Sequence, residues 1–193
     1  MSEFLFLSRN PAKCAQLIKK GELCEKIRTY KDILCAAYWI VKPKRAKRLG
    51  LPKLICKSES KKQIVHWITQ SFMHFEFVIN VALAACEQYT LSGAEIWHPS
   101  EFALLNIEEN MPPRSFFHHD YWEDPPQQFP HRFHTTDAVE GYRRWYNSLT
   151  TKKRENANST KFVAKRRKLT TVANSNGSNT FQQELSQHSL RVS

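Results

Sequence analysis

Glycine is scarce in this chain, at 5 of 193 residues. A fold that turns often needs glycine at its turns, so the scarcity argues against a strand-rich body and for a mainly helical one. No apolar stretch reaches the ~18 uncharged residues that a membrane-spanning helix needs. The opening residues MSEFLFLSRN have no basic leader and too short an apolar run for a secretion signal. Cysteine is present five times, at Cys14, Cys24, Cys35, Cys56 and Cys86. No two of them form a C-x-x-C pair, and an odd number fits a disulfide framework poorly. Four lie in apolar-periodic stretches, where a thiol behaves as a small hydrophobe, and we expect a reducing compartment. The chain also lacks G-x-S-x-G, the P-loop pattern and G-x-G-x-x-G, so the common hydrolase and nucleotide-loop readings have no motif.

Acid is missing where base accumulates. Lys42 to Lys62 holds nine Lys/Arg against one Glu, and Asn147 to Ser193 holds nine against two, which leaves −4 of the total +11 for the rest. Concentrated basic segments on a mildly acidic body suit a polyanion, most often nucleic acid. The plainer alternative is a pair of soluble linkers.

What is present reads as helix. Asn10 and Pro11 suit the start of a first helix and Gly21 its exit. Leu23, Ile27, Tyr30, Leu34, Ala37, Tyr38 and Val41 recur every three or four residues and make one buried stripe, ended by Pro43. From Pro43 to Lys62 the prolines and Gly50 predict a basic loop, with Ser60 capping the next helix. KQIVHWITQSFMHFEFVINVALAACEQYT is apolar nearly all round and predicts one long central helix closed by Gly93. Another helix starts near Pro99 and Ser100. Residues 111–136, rich in proline, predict a long aromatic loop.

The segment DAVEGYRRWY begins with an Asp137-x-x-Glu140 capping pattern. Ala138, Tyr142, Trp145 and Tyr146 share its packing face, and Arg143 and Arg144 point away from it. The expected fold is mostly α: a compact bundle of five or six helices with one short N-terminal strand over EFLFLS. Residues 1–150 form the helical domain and 151–193 a basic tail, disordered over 156–193. Lys44, Arg45, Lys47, Arg48, Arg143 and Arg144 are the candidate phosphate contacts.

The tail carries Lys153-Arg154, ten intervening residues, and then Lys165-Arg166-Arg167-Lys168. That is the spacing of a bipartite nuclear-import signal, in which each basic cluster fills an acidic groove of an import receptor. It predicts a nuclear location, in a eukaryotic cell or in a virus or mobile element living in one. His118, His119, His131 and His134, with Asp120, Glu123 and Asp124, could hold a metal. Their irregular, proline-rich spacing favours a packed or nucleic-acid-touching loop instead, and we expect no metal. His98 is either a proton shuttle or a helix-start residue held by backbone.

The ordered segments also form a series. LSRNPAKCAQL from Leu7, KIRTYKDILCAAYWI from Lys26 and WITQSFMHFEFV from Trp67 are followed by CEQYTLSGAEIWH from Cys86, PPQQFP from Pro125 and DAVEGYRRWY from Asp137. In this order, over roughly residues 4–150, they resemble a family of small phage-encoded proteins. That family is itself distantly similar to phage pyrimidine-dimer DNA glycosylases. The resemblance implies an N-terminal amine as nucleophile, here Ser2 after removal of Met1, forming a Schiff base with the sugar. It places the family's cationic helix positions on Arg28 and Lys31, with Trp67, Tyr89 and His98 nearby. The family's glutamate falls on Cys35 and its glutamine on Tyr38. A thiol does not shuttle protons as a carboxylate does, so the resemblance implies DNA binding on damaged or modified DNA with a degenerate site, unless Glu76 substitutes. An active glycosylase/AP lyase and a non-enzymatic protein adaptor are the competing readings.

Overall fold

The computed structural model describes residues 4–54, 58–94, 97–149 and Thr151, and the chain divides into two units, Met1–Trp145 and Tyr146–Ser193. Ser2, Lys153, Arg154, Lys165, Arg166, Arg167 and Lys168 lie outside the described residues, as does the predicted disorder over 156–193. Among the described residues there are seven α-helical segments. They are α1 (Pro11–Gln16), α2 (Leu23–Val41), α3 (Pro43–Arg48), α4 (Glu59–Gln70), α5 (Phe72–Leu91), α6 (Glu101–Glu109) and α7 (138–149). None of the described helices is long and apolar enough to cross a membrane.

The mostly helical expectation holds, and five details are corrected. Pro43 does not open a loop. It stands at the first position of α3, where its missing N–H costs nothing. The long central helix is two helices, because Ser71 is extended (φ −133, ψ 140) between them and its hydroxyl accepts from the Met73 N–H to start α5. The cap of α4 is Ser58, not Ser60; its hydroxyl accepts from the Lys61 N–H at 3.3 Å. Asn10 does cap α1, through Lys13 N–H at 2.9 Å, but α1 stops well short of the expected exit at Gly21, which lies in the 3-10 turn Lys20–Glu22.

The fifth correction concerns the expected strand. Phe4, Leu5, Phe6 and Leu7 are all at most 3% exposed, yet no strand is present among the described residues. Alternation survives, but both faces are buried. Phe4 packs on Tyr30, Trp67 and Tyr142, and Phe6 on Phe77, Trp122 and Tyr142, with ring centroids 5.4–6.2 Å apart. Side chains take the place of a ladder partner. The Tyr30 hydroxyl donates to the Leu5 carbonyl at 3.2 Å, the Leu7 N–H donates to Cys14 Sγ at 3.3 Å, and Arg143 Nε donates to the Leu7 carbonyl at 2.7 Å. A buried backbone group must find some partner. Here three different helices supply it.

Helix α5 lies at the centre, with α1, α2, α4 and α6 packed on it; α2 also packs on α3 and α4. The predicted α2 stripe is the core: Ile27, Tyr30, Leu34, Ala37 and Tyr38 are fully buried. Each such side chain, Ala apart, contributes about 1.5–3 kcal/mol. Ala138, Tyr142 and Trp145 of α7 are buried as the shared face predicted. Asp137 caps α7 through the Val139 N–H at 2.9 Å, whereas the Glu140 carboxylate pairs with Arg144 instead of turning back to the cap. Gly141 is needed for a close approach: a Cβ there would meet Gln127 Oε1 at 2.5 Å and the Phe133 carbonyl at 3.0 Å.

Candidate nucleic-acid interface

Four of the predicted phosphate contacts share one short helix. On α3, Lys44, Lys47 and Arg48 are exposed and Arg45 half-buried. Lys44, Arg45 and Arg48 line a cleft of about 600 Å³ between the end of α2, α3 and the residues after α6. Its floor is Tyr38. That hydroxyl donates to the Asn110 carbonyl at 2.6 Å, and Arg45 donates to the Asn110 side chain, so the cleft has a fixed shape. Lys42 sits 3.7 Å above the Phe116 ring on one wall. Among the described residues, none of Lys42, Lys44, Arg45, Lys47 and Arg48 is ion-paired to a carboxylate. Their charge is therefore available to an outside anion.

Arg143 and Arg144 are not part of this group. Arg143 is exposed, but its Nε is committed to the Leu7 carbonyl, and Arg144 is paired with Glu140.

The histidine loop is built around a residue that no sequence pattern singles out. His74 on α5 is fully buried. Its Nδ1 donates to the Trp67 carbonyl at 2.8 Å, and its Nε2 accepts from the Glu123 N–H at 2.9 Å. The ring stacks on Trp67 at 4.3 Å. Burial, with a smaller push from His119, holds its pKa below the usual imidazole value, so the neutral ring bridges α4 and the loop. The loop is fixed a second time where the His118 and His119 N–H groups both donate to the Gln70 carbonyl, at 3.0 and 3.1 Å.

Between α4 and this loop lies a groove of about 690 Å³, walled by Trp67, His119 and Tyr121. His119 and Tyr121 stack face to face, 3.8 Å apart and 13° from parallel. His134 is used locally, on the Phe129 carbonyl at 2.8 Å. Among the described residues no three His, Cys, Asp or Glu side chains are grouped as a metal would need.

Four residues of the family-like site do converge. Arg28 and Lys31 both lie close enough to His98 to act on its charge, and Tyr89 meets the His98 ring edge-on at 5.3 Å. His98 is 2% exposed. Its Nδ1 accepts from the Ser100 N–H at 3.1 Å, which puts the hydrogen on Nε2. That N–H faces the Cys24 carbonyl without reaching hydrogen-bonding geometry. Burial first, then Arg28 and Lys31, lower its pKa. With Nδ1 engaged and Nε2 protonated, the ring has no lone pair for a proton from solvent. It organises the turn into α6.

The rest of the family-like pattern is spread out. Lys31 pairs with Asp32 at 2.8 Å. Cys35 is fully buried, and burial pushes its thiol up to about 11. Phe4, two residues after Ser2, packs on Tyr30 and Trp67. Tyr30 stands about 140° around α2 from Cys35, at ~100° per residue. Trp67 belongs to the groove and the core, and Glu76 is half-buried on α5. No family model, curated protein or solved structure matches this chain.

Proposed function

We propose that this protein binds DNA in a nucleus, acts on damaged or modified DNA by recognition, and carries a glycosylase-like site that is catalytically silent. The observation that carries the DNA reading is α3, with Lys44, Arg45, Lys47 and Arg48 in six residues and no carboxylate paired to any of them among the described residues. Cations without carboxylate partners can release counterions from phosphates, which is where sequence-independent affinity comes from. The silence of the site is inferred from Cys35, a buried thiol with its pKa up to about 11 where the resemblance calls for a carboxylate. The nuclear location rests on Lys153-Arg154 and Lys165 to Lys168 in the sequence, and an import receptor is the second partner.

The test is binding to duplex DNA across a salt series by fluorescence anisotropy. Replacing Lys44, Arg45, Lys47 and Arg48 together by Ala should flatten the log K against log salt slope by about 3–4, at ~0.9 per phosphate contact. A slope that stays the same in the variant removes α3 as the interface. Binding of a protein partner that ignores salt, with no DNA binding, would leave the adaptor reading. Borohydride trapping on abasic duplex should give no covalent adduct; an adduct that needs the free amine would establish the lyase.

A further inference from the structure

The α3 cleft is one of three depressions that are linked in series by shared lining residues. It shares Pro43 with a second cleft, of about 480 Å³, formed by α2, α4 and the residues after α3. That second cleft shares Lys62 and His66 with the histidine-loop groove. Charge and aromatic rings alternate along this path. Lys44, Arg45 and Arg48 come first; then Trp39, with the Lys53 ammonium 5.7 Å from its ring centre; then Lys62; then the His119–Tyr121 stack. A duplex presents phosphates to such a path but keeps its bases inside. An unpaired strand offers both, and cation–aromatic alternation is how such strands are held without sequence preference.

The end groove has what a base needs. Tyr121 is 56% exposed and backed on one side by His119, so it offers a pre-stacked ring at no ordering cost. The amides of Gln63 and Gln70 line the same groove. Gln63 uses its oxygen to accept from Gln128 at 2.8 Å, which leaves its NH₂; Gln70 turns its NH₂ to His66 at 3.4 Å, which leaves its oxygen. One free donor and one free acceptor can meet the edge of a heterocycle. His119 Nδ1 is buried without a hydrogen-bond partner. Glu123, at the same groove, repels phosphate, so the groove favours the base over the backbone. Its volume is within the usual range for small-ligand sites.

The geometry points to a binding site for an unpaired nucleobase in the groove of Trp67, His119 and Tyr121, reached by a single strand whose phosphates lie along α3. This inference rests on the DNA-binding reading and makes it a preference for unpaired DNA.

The experiment uses the full chain and two labelled single strands of equal length and charge, one oligothymidylate and one abasic throughout. The strand with bases should bind more tightly, roughly 5- to 150-fold per base held. Tyr121→Ala should remove that preference and Tyr121→Phe should keep it. The α3 variant should weaken both strands alike. Equal binding of the two strands by the unmodified protein overturns the base site and leaves the phosphate reading standing. A preference that survives both Tyr121→Ala and His119→Ala overturns it too, because the base is then held elsewhere. No binding to either strand, or to duplex, removes both readings together.

Discussion

Replacing His74 by Ala should be costly, and the cost should depend on pH. The change leaves the buried Trp67 carbonyl and the part-buried Glu123 N–H without their partner. Each such loss is worth about 1–3 kcal/mol. The lost stack on Trp67 adds about 0.5–1.5 kcal/mol. Together these give about 4 kcal/mol at neutral pH, or roughly 8–16 °C in Tm for a chain of this size. The imidazole pKa is lowered in the folded protein from its ordinary 6.5, by burial foremost. Above 6.5 the ring is neutral in both states and its contribution is complete. As the pH falls below that value, the unfolded chain takes up a proton that the folded one refuses, and stability drops by up to about 1.4 kcal/mol per pH unit until the folded ring also titrates. The charged and titratable neighbours acting on the ring are His119, which lowers the value further, and Glu123, which raises it. His74→Ala loses that dependence. The gap between the two proteins should therefore narrow as the pH falls from about 7.5 to about 5. Thermal and urea unfolding followed by circular dichroism at both pH values measures it. A variant that melts within about 2 °C of the parent, or a gap that does not change with pH, refutes the clamp.

Gly141→Ala should destabilise by about 1–3 kcal/mol, because the new methyl meets backbone at 3.0 Å as well as a side chain; a thermal-shift assay reads it. Arg143→Ala should cost about 1–3 kcal/mol by orphaning the Leu7 carbonyl. Arg144→Ala, which loses only a surface pair, should cost less than about 1 kcal/mol in the same unfolding series. With a thiol reagent at mildly alkaline pH, Cys14, Cys35 and Cys86 of the native protein should stay unmodified. Burial raises all three, with Cys35 pushed up to about 11 and Cys86 up to about 12, and peptide mapping after native and denatured labelling decides it.

The helical parts are legible where local chemistry decides them. Asn10, Pro11 and the α2 stripe need only capping and period. Pro43 misleads because the same residue ends one helix and begins the next, and sequence alone does not give the distance between the two events. Ser71 is hidden inside an apolar run, where period cannot separate one buried helix from two. The basic residues of α3 are legible as charge, and their shared cleft is not, since Asn110 closes it from far along the chain. His74 carries no signal at all: its role depends on Trp67 and Glu123, which the fold brings to it. Phe4 to Leu7 show the right alternation and the wrong partner, because a strand pattern does not say whether backbone or side chains will meet it.

That buried first segment has a consequence for how the protein is made. Leu7 waits for Arg143, 136 residues later, and Phe4 and Phe6 wait for Tyr142. At about 5–20 residues per second, a ribosome takes roughly 7–30 s to supply the missing end. Through that interval Phe4 can reach Tyr30 and Trp67, and Phe6 can reach Phe77, but the Tyr142 side of their pocket is missing. Contacts this distant along the chain slow closure further. In the cell, this first segment should complete its packing only after α7 has left the ribosome.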